Sequence, residues 1–238
     1  HNLPTPLRPA VAAQPGHVFV RADLGQIEPR VLAAVSGDPA FAEATLADDL
    51  YAPVAAKLRV ERSVAKIAVL AAMYGQRSGA AGEALRDLQR AYPVAMGLLD
   101  EAYAAGLARR PLRTFGGRLI RLDTALVPEA GQTGGERWDA ARGRFARNAI
   151  IQGAAAELFK AWAATVRHLI GPLGGQIVLC LHDELLVHVP AEAAEAASAM
   201  VHQALADSSR RWVGASAGVP VRFVAEVSVI HRWDEAKG

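Results

Sequence analysis

Hydrophobic and polar positions alternate along His17-Val18-Phe19-Val20-Arg21-Ala22-Asp23, a run rich in β-formers that predicts a strand. Residues 27–35 then follow a helical period that ends near Gly37, with Asp38-Pro39 opening a turn. From 40 to 107 the pattern is helical, with a break at 76–79 and Pro93 inside or starting another helix. Phe115-Gly116-Gly117 marks a turn flanked by basic residues, and 127–135 reads as a glycine-rich loop. A long helix is predicted over about 136–169, bent near Gly153 and stopped by Gly171-Pro172-Leu173-Gly174-Gly175. Two short apolar strands, 176–180 and 185–189, flank Leu181-His182-Asp183-Glu184, which predicts a tight hairpin with acids at its tip. Residues 191–206 form an alanine-rich helix and 221–229 a closing strand. Ahead of all this, Pro4, Pro6, Pro9 and Pro15 predict an extended leading segment rather than a helix. Helices around a small sheet built from distant strands make an α+β fold.

Composition narrows the class. With 238 residues, 52% hydrophobic and 21% charged, the chain can bury one large core or two small ones, and disorder is excluded. No apolar run approaches the roughly 18–20 residues that cross a bilayer, and the first thirty residues lack the order of a secretory signal. A lone cysteine, Cys180, makes neither an intrachain disulfide nor a cysteine-rich zinc site, so a cytoplasmic protein is expected. The net charge of +2 permits an anionic partner without requiring one. Of 26 basic residues 22 are arginines, a side chain suited to bidentate phosphate contacts yet by default a solvated surface residue.

Two acidic positions lie at strand ends far apart in sequence: Asp23 closes the first strand, and Asp183 with Glu184 sits at the hairpin tip. If strands 18–20 and 177–179 pair centrally in one sheet, Asp23 and Asp183 converge at one edge. Converging carboxylates repel unless a cation neutralises them, and hard oxygen donors favour Mg2+ or Mn2+. The plainer reading makes them solvated turn residues. A helix over 61–75 places Arg62, Lys66, Leu70 and Tyr74 at i+4 spacing. Two cations, an apolar side chain and an aromatic would suit a triphosphate with a base beyond it; a solvated charge pair beside two core residues fits the spacing equally. The stripe Arg144, Asn148, Gln152 on the long helix suits either minor-groove acceptors or an exposed polar face.

Four segments together resemble the polymerase domain of family A DNA polymerases. Asp23-Leu24-Gly25-Gln26-Ile27-Glu28-Pro29-Arg30 is similar to motif A, the Arg62…Lys66…Tyr74-Gly75 helix to the nucleotide-binding motif B, Asn148-Ala149-Ile150-Ile151-Gln152-Gly153 to the helix that touches template and primer, and His182-Asp183-Glu184 to motif C. Order and approximate spacing match along nearly the whole chain. The resemblance implies a palm of 1–30 and 140–238, with a small antiparallel sheet flanked by helices, and mostly helical fingers over 31–139.

By the same resemblance, Asp23, Asp183 and Glu184 would be catalytic. Asp23, Asp183 and the Leu24 carbonyl would hold two Mg2+ ions, with Mn2+ as a substitute. Arg62, Lys66, Leu70, Tyr74, Gln26 and Glu28 would bind the incoming deoxynucleoside triphosphate, Glu28 gating against a ribose 2′-hydroxyl with Tyr74. Arg144, Asn148, Gln152 and His182 would contact primer–template DNA. The implied protein is a monomer of the cytoplasm and nucleoid that does not engage membranes.

Departures from the family pattern bear on rate and selectivity. Leu24-Gly25 stands where the family has Tyr-Ser, Leu70-Ala71 where it has Phe-Gly, and Tyr51 where it has histidine. The stretch between Tyr51 and Arg62 is also several residues short. His1-Asn2-Leu3-Pro4 reads as an internal segment, so a palm-and-fingers portion of a longer polymerase, or a minimal relative, is expected. A DNA-binding module that no longer catalyses is the alternative; a metal-dependent phosphohydrolase explains the acids but not the motif B stripe.

Overall fold

A computed structural model describes residues 4–75, 82–122, 135–214 and 220–235. The breaks expected at 76–79 and, save for its last residue, at 127–135 lie outside the described residues. The chain divides into two compact units, the first of residues 1–27, 158–214 and 223–238, the second of 28–157 and 215–222.

The first unit is built on a four-stranded antiparallel sheet. Its strands are β1 (His17–Gly25), β4 (Gln176–Leu181), β5 (Glu184–Pro190) and β6 (Val224–Ile230), in the order β4-β5-β1-β6. The expected pairing of 18–20 with 177–179 is therefore wrong. A two-residue hairpin turn obliges β5 to lie beside β4, and β1, apolar on both faces, takes the centre between β5 and β6. Helix α8 (Ala194–Val213) packs on β1, β5 and β6; it begins later and runs further than its alanine-rich part suggested. Phe19, Leu186, Ile230 and Trp233 form a buried cluster on the sheet, with Val11, Ala13, Leu179 and Leu181 against it.

The leading segment is not extended throughout: Thr5–Ala10 is a 3-10 helix. A turn of i→i+3 bonds needs donors only from its non-proline residues, and here Leu7 N–H donates to the Pro4 carbonyl and Val11 N–H to that of Arg8. The segment then joins the other end of the chain, with Ala13 N–H donating to His231 at 2.8 Å and Trp233 N–H to Val11 at 3.0 Å.

The second unit is helical. It holds α1 (Ile27–Ser36, beginning one residue before the unit), α2 (Pro39–Ala44), α3 (Tyr51–Leu58), α4 (Arg62–Tyr74), α5 (Gly82–Ala91) and α6 (Pro93–Leu107). A small hairpin of β2 (Leu112–Arg113) and β3 (Leu119–Ile120) follows. Helix α7 (Gly135–Ile170) belongs to this unit as far as Glu157. Its helical assignment continues through Gly153, where a Cβ would stand 2.5 Å from Thr114 Cγ2.

Asp38 begins a helix where a turn was expected, and it does so twice. Its Oδ1 accepts from Ala40 and Phe41 N–H at 3.1 and 3.0 Å, capping α2. Its Oδ2 accepts from Val94 and Ala95 N–H, both at 3.1 Å, capping α6, whose own N-cap residue Tyr92 provides no side-chain bond. Four otherwise unpaired helix donors thus converge on one buried carboxylate. Asp38→Ala removes two caps at about 1 kcal/mol each, so urea denaturation should show a loss of about 2 kcal/mol; a loss within about 0.5 kcal/mol would mean that water replaces the carboxylate.

Candidate active site

Register decides which side chains meet at the end of the sheet. Asp23 on β1 lies opposite Glu184 on β5 and Glu226 on β6, so three carboxylates share one face of three adjacent strands. The turn adds Asp183, whose carbonyl accepts from Leu24 N–H at 2.9 Å. In an antiparallel ladder a residue's N–H and C=O point to the same neighbour, so the Leu24 carbonyl is directed toward the hairpin turn as well. His182, beside Asp183, has φ +50°, a left-handed conformation uncommon outside glycine, though histidine, like asparagine and aspartate, adopts it more often than most. Gln26, just past β1, is likewise left-handed at φ +56°.

One cation enters this group. Arg21, two residues before Asp23 and on the same face, is buried. Its Nε donates to Glu184 Oε1 at 3.0 Å and its Nη2 to Asp23 Oδ2 at 3.1 Å. Glu184 Oε1 also accepts from Trp233 Nε1 at 2.7 Å, so this carboxylate is engaged from two sides. Even so, burial and the charges of Asp183, Glu184 and Glu226 outweigh Arg21 and push Asp23 up from 3.8 to about 6. Such a carboxylate is short of positive charge.

Divalent-ion binding fits the donor set in one specific way. Among the described residues no three Asp, Glu, His or Cys side chains form a group able to hold a metal by themselves. Mg2+ seldom needs that, since it is bound by one or two carboxylates with water and substrate phosphates completing its shell. Asp23, Asp183 and the Leu24 carbonyl offer hard oxygens of that kind.

In the second unit, α4 turns Ala65, Ala68, Val69, Ala72 and Met73 inward and leaves Arg62, Lys66 and Tyr74 exposed, with Leu70 half-buried. The stripe is thus an outward face and not part of the core. Arg62 is held by Asp49, with Nη2 to Oδ1 at 3.2 Å and a shorter Nε contact to Oδ2, and its guanidinium lies 5.7 Å from the centre of the Tyr51 ring. Lys66 makes no ion pair among the described residues.

Glu28 and Tyr74 meet, the Tyr74 hydroxyl donating to Glu28 Oε2 at 3.2 Å, and Gln152 also hydrogen-bonds that hydroxyl. Burial, then the Glu28 charge, pushes the Tyr74 phenol above its ordinary value. Gly75 ends α4 at φ +70°, where a Cβ would stand 3.0 Å from Arg144 Cγ. Glu28, Gln152 and Arg144 therefore come together around the end of α4. Asn148 of that stripe is half-buried, and its Oδ1 accepts no hydrogen bond among the described residues.

Sequence reasoning missed Arg21, Glu226, Trp233 and Asp49. Arg21, two residues before Asp23, shares its face by simple alternation, whereas Glu226 becomes a neighbour only once β1 is paired with β6. Asp49, two residues before Tyr51, carried no periodic signal. Arg30, quoted within motif A, proves structural: fully buried, it donates to the carbonyls of Thr45, Ala47, Asp48 and Arg222 at 2.6–2.9 Å.

A sequence profile of DNA polymerase family A matches residues 2–235, and the chain belongs to that family. It is 30% identical to DNA polymerase I of Chloroflexus aurantiacus over 96% of its own length and 25% of the relative's. With the thermostable DNA polymerase I of Thermus filiformis it shares 30% identity over 99% of its length and 30% of the relative's. The chain thus spans about a quarter to a third of these relatives. Its fold matches the POL domain of Pol1 from M. smegmatis, solved in complex with DNA primer-template and dNTP, at a TM-score of 0.76 and 23% identity, covering 97% of this chain and 42% of that one. Among the described residues no helix is long and apolar enough to cross a membrane.

The raised value of Asp23 has a thermodynamic signature. Its carboxyl binds a proton more tightly folded than unfolded, so its contribution to stability is fully present below pH 4 and is lost as pH rises through about 6. Asp23→Asn cannot ionise; in metal-free buffer it should melt higher than the wild type at pH 8, and the gap should close by pH 4. Equal melting temperatures across that range would mean that the acidic group imposes no strain.

Proposed function

We propose that this chain is the nucleotide-adding portion of a template-directed DNA polymerase, with 1–30 and 140–238 as palm and 31–139 as fingers. The observation that carries the reading is the convergence of Asp23 and Asp183 at one sheet end, with Asp23 held short of positive charge, in a chain of family A. Asp23, Asp183 and the Leu24 carbonyl would hold two Mg2+ ions, or Mn2+. When bound, such ions lower the pKa of the primer 3′-hydroxyl and neutralise the triphosphate.

The chain's own residues bind and orient. Lys66, exposed on α4, supplies a point charge for the triphosphate, and Arg62 a planar fork once Asp49 yields it. Leu70 gives the base an apolar contact in place of an aromatic stack. Glu28, braced by Tyr74, presents a carboxylate that crowds a ribose 2′-hydroxyl. Arg144, Asn148, Gln152 and His182 hydrogen-bond primer–template DNA, and Gln26 the nucleotide side. Glu184, already engaged by Arg21 and Trp233, braces the sheet end instead of leading the chemistry. The protein's contribution is positioning and electrostatics, as phosphoryl transfer requires.

A second reading, a DNA-binding module without catalysis, is favoured by the same engagement of Glu184 and by the Asp49–Arg62 pair. Primer extension separates the two. The wild type should add deoxynucleotides with Mg2+ or Mn2+. Asp23→Asn and Asp183→Asn should each lose about 10³-fold in rate while still binding primer–template DNA. DNA binding without extension in the wild type would establish the second reading. Glu28→Ala should raise ribonucleotide incorporation relative to deoxynucleotide by roughly tenfold or more, since the gate discriminates by contact with one hydroxyl; an unchanged ratio would remove Glu28 from that role.

A further inference from the structure

We infer that Arg21 is a built-in competitor of the divalent ion, a fixed cation that holds the acidic sheet end together without metal and thereby weakens metal binding to it. The inference rests on the proposed function above, because it concerns the same carboxylates.

Three observations support it. First, Arg21 already engages both carboxylates: its Nη2 lies 3.1 Å from Asp23 Oδ2, and Nε and Nη2 reach Glu184 Oε1 and Oε2 at 3.0 and 3.5 Å. Second, the guanidinium is not a mobile surface group. Its side chain is 8% exposed, Glu184's is 13% exposed, and the indole of Trp233 closes the far side of Glu184. Trp233 is in turn fixed by its packing on Phe19, Leu186 and Ile230 and by the Arg8 guanidinium 4.7 Å from its ring centre. Third, one guanidinium bridges Asp23 and Glu184, so its positive charge is fixed between both carboxylates. An ion at Asp23 must therefore either displace the Arg21 Nη2 or bind with a positive charge a few ångströms away. Both weaken it.

The alternative is a purely structural arginine, and the two differ in sign. Loss of a structural brace would leave the carboxylates disordered and metal binding weaker or unchanged. Loss of a competitor makes metal binding tighter. A unit charge at this range in a partly buried setting changes the affinity of a divalent ion by about tenfold or more.

Mn2+ titration of the chain, followed by electron paramagnetic resonance of free Mn2+, tests this. Arg21→Gln should bind Mn2+ about tenfold more tightly than the wild type, while Arg21→Lys, which keeps the charge, should stay much closer to it. An affinity for Arg21→Gln equal to or weaker than the wild type's, in a variant with a native circular dichroism spectrum, overturns the inference. Asp23→Asn distinguishes that failure from a failure of the proposed function. If Asp23→Asn abolishes Mn2+ binding and Arg21→Gln leaves it unchanged, only the competitor role falls; if Mn2+ binding survives Asp23→Asn, the metal assignment falls with it. Should Arg21→Gln not fold, arginine-labelled wild type still decides. Saturating Mg2+ should shift the Arg21 side-chain nitrogen resonances in the wild type and not in Asp23→Asn, and resonances unmoved in both would refute competition.

Discussion

The antiparallel register of β1 against β5 and β6 is the constraint from which the acidic site follows. Side chains alternate across a sheet, so a slip of one residue on either side would send Asp23 to the opposite face from Glu184 or Glu226. That register is itself secured by burial. Val18, Val20, Ala22 and Leu24 fill one face of β1, while Phe19 joins Leu186, Ile230 and Trp233 on the other. The apolar positions thus hold together a sheet end whose acidic positions repel. Arg21, placed between the two sets, offsets part of that repulsion, and the rest appears as the raised proton affinity of Asp23.

The helical unit solves a different problem with similar chemistry. Several of its helices are short, and their ends leave many main-chain groups without helical partners. Buried polar side chains meet them. Asp38 takes four N–H groups; Arg30 gives its donors to carbonyls of the 45–48 connection and of Arg222. Arg147 reaches the Ala72 carbonyl and Asp100, tying α7 to the end of α4. With these cations turned inward, Arg62 and Lys66 remain on the outer face of α4, and the arginine excess of the composition separates into structural and available members.

Within each unit, several of the candidate polar groups already have partners. Asp49 holds Arg62, Arg21 holds Glu184 and Asp23, and Glu28 holds Tyr74. Each is a pair that a phosphate, a divalent ion or a sugar hydroxyl would have to share or replace. The buried Arg21 pairs set geometry more than they stabilise, because desolvation offsets much of their attraction, whereas the exposed Arg62–Asp49 pair is screened by water.

Much of this protein was legible without coordinates. The strand over 17–23, the hairpin after Gly175, the long helix and the α+β class follow from periodicity and glycine punctuation, because local backbone preferences act over a few residues. The motif residues Asp23, Asp183, Arg62, Lys66 and Tyr74 were readable as residue types at fixed spacing, and i+4 spacing alone put the last three on one helical face. Which residues Arg21, Glu226, Asp49 and Asp38 would meet was not legible. Several of their partners lie far away in sequence, 163 residues for Arg21 and Glu184, and nothing local marks an arginine as buried or an aspartate as capping two helices. The strand order was also misjudged, since hydrophobicity says that a strand is buried but not beside which neighbour. Local pattern determined the elements and the chemistry they carry; long-range pairing alone decided which charges face one another, because electrostatic partnership depends on distance in space and not along the chain.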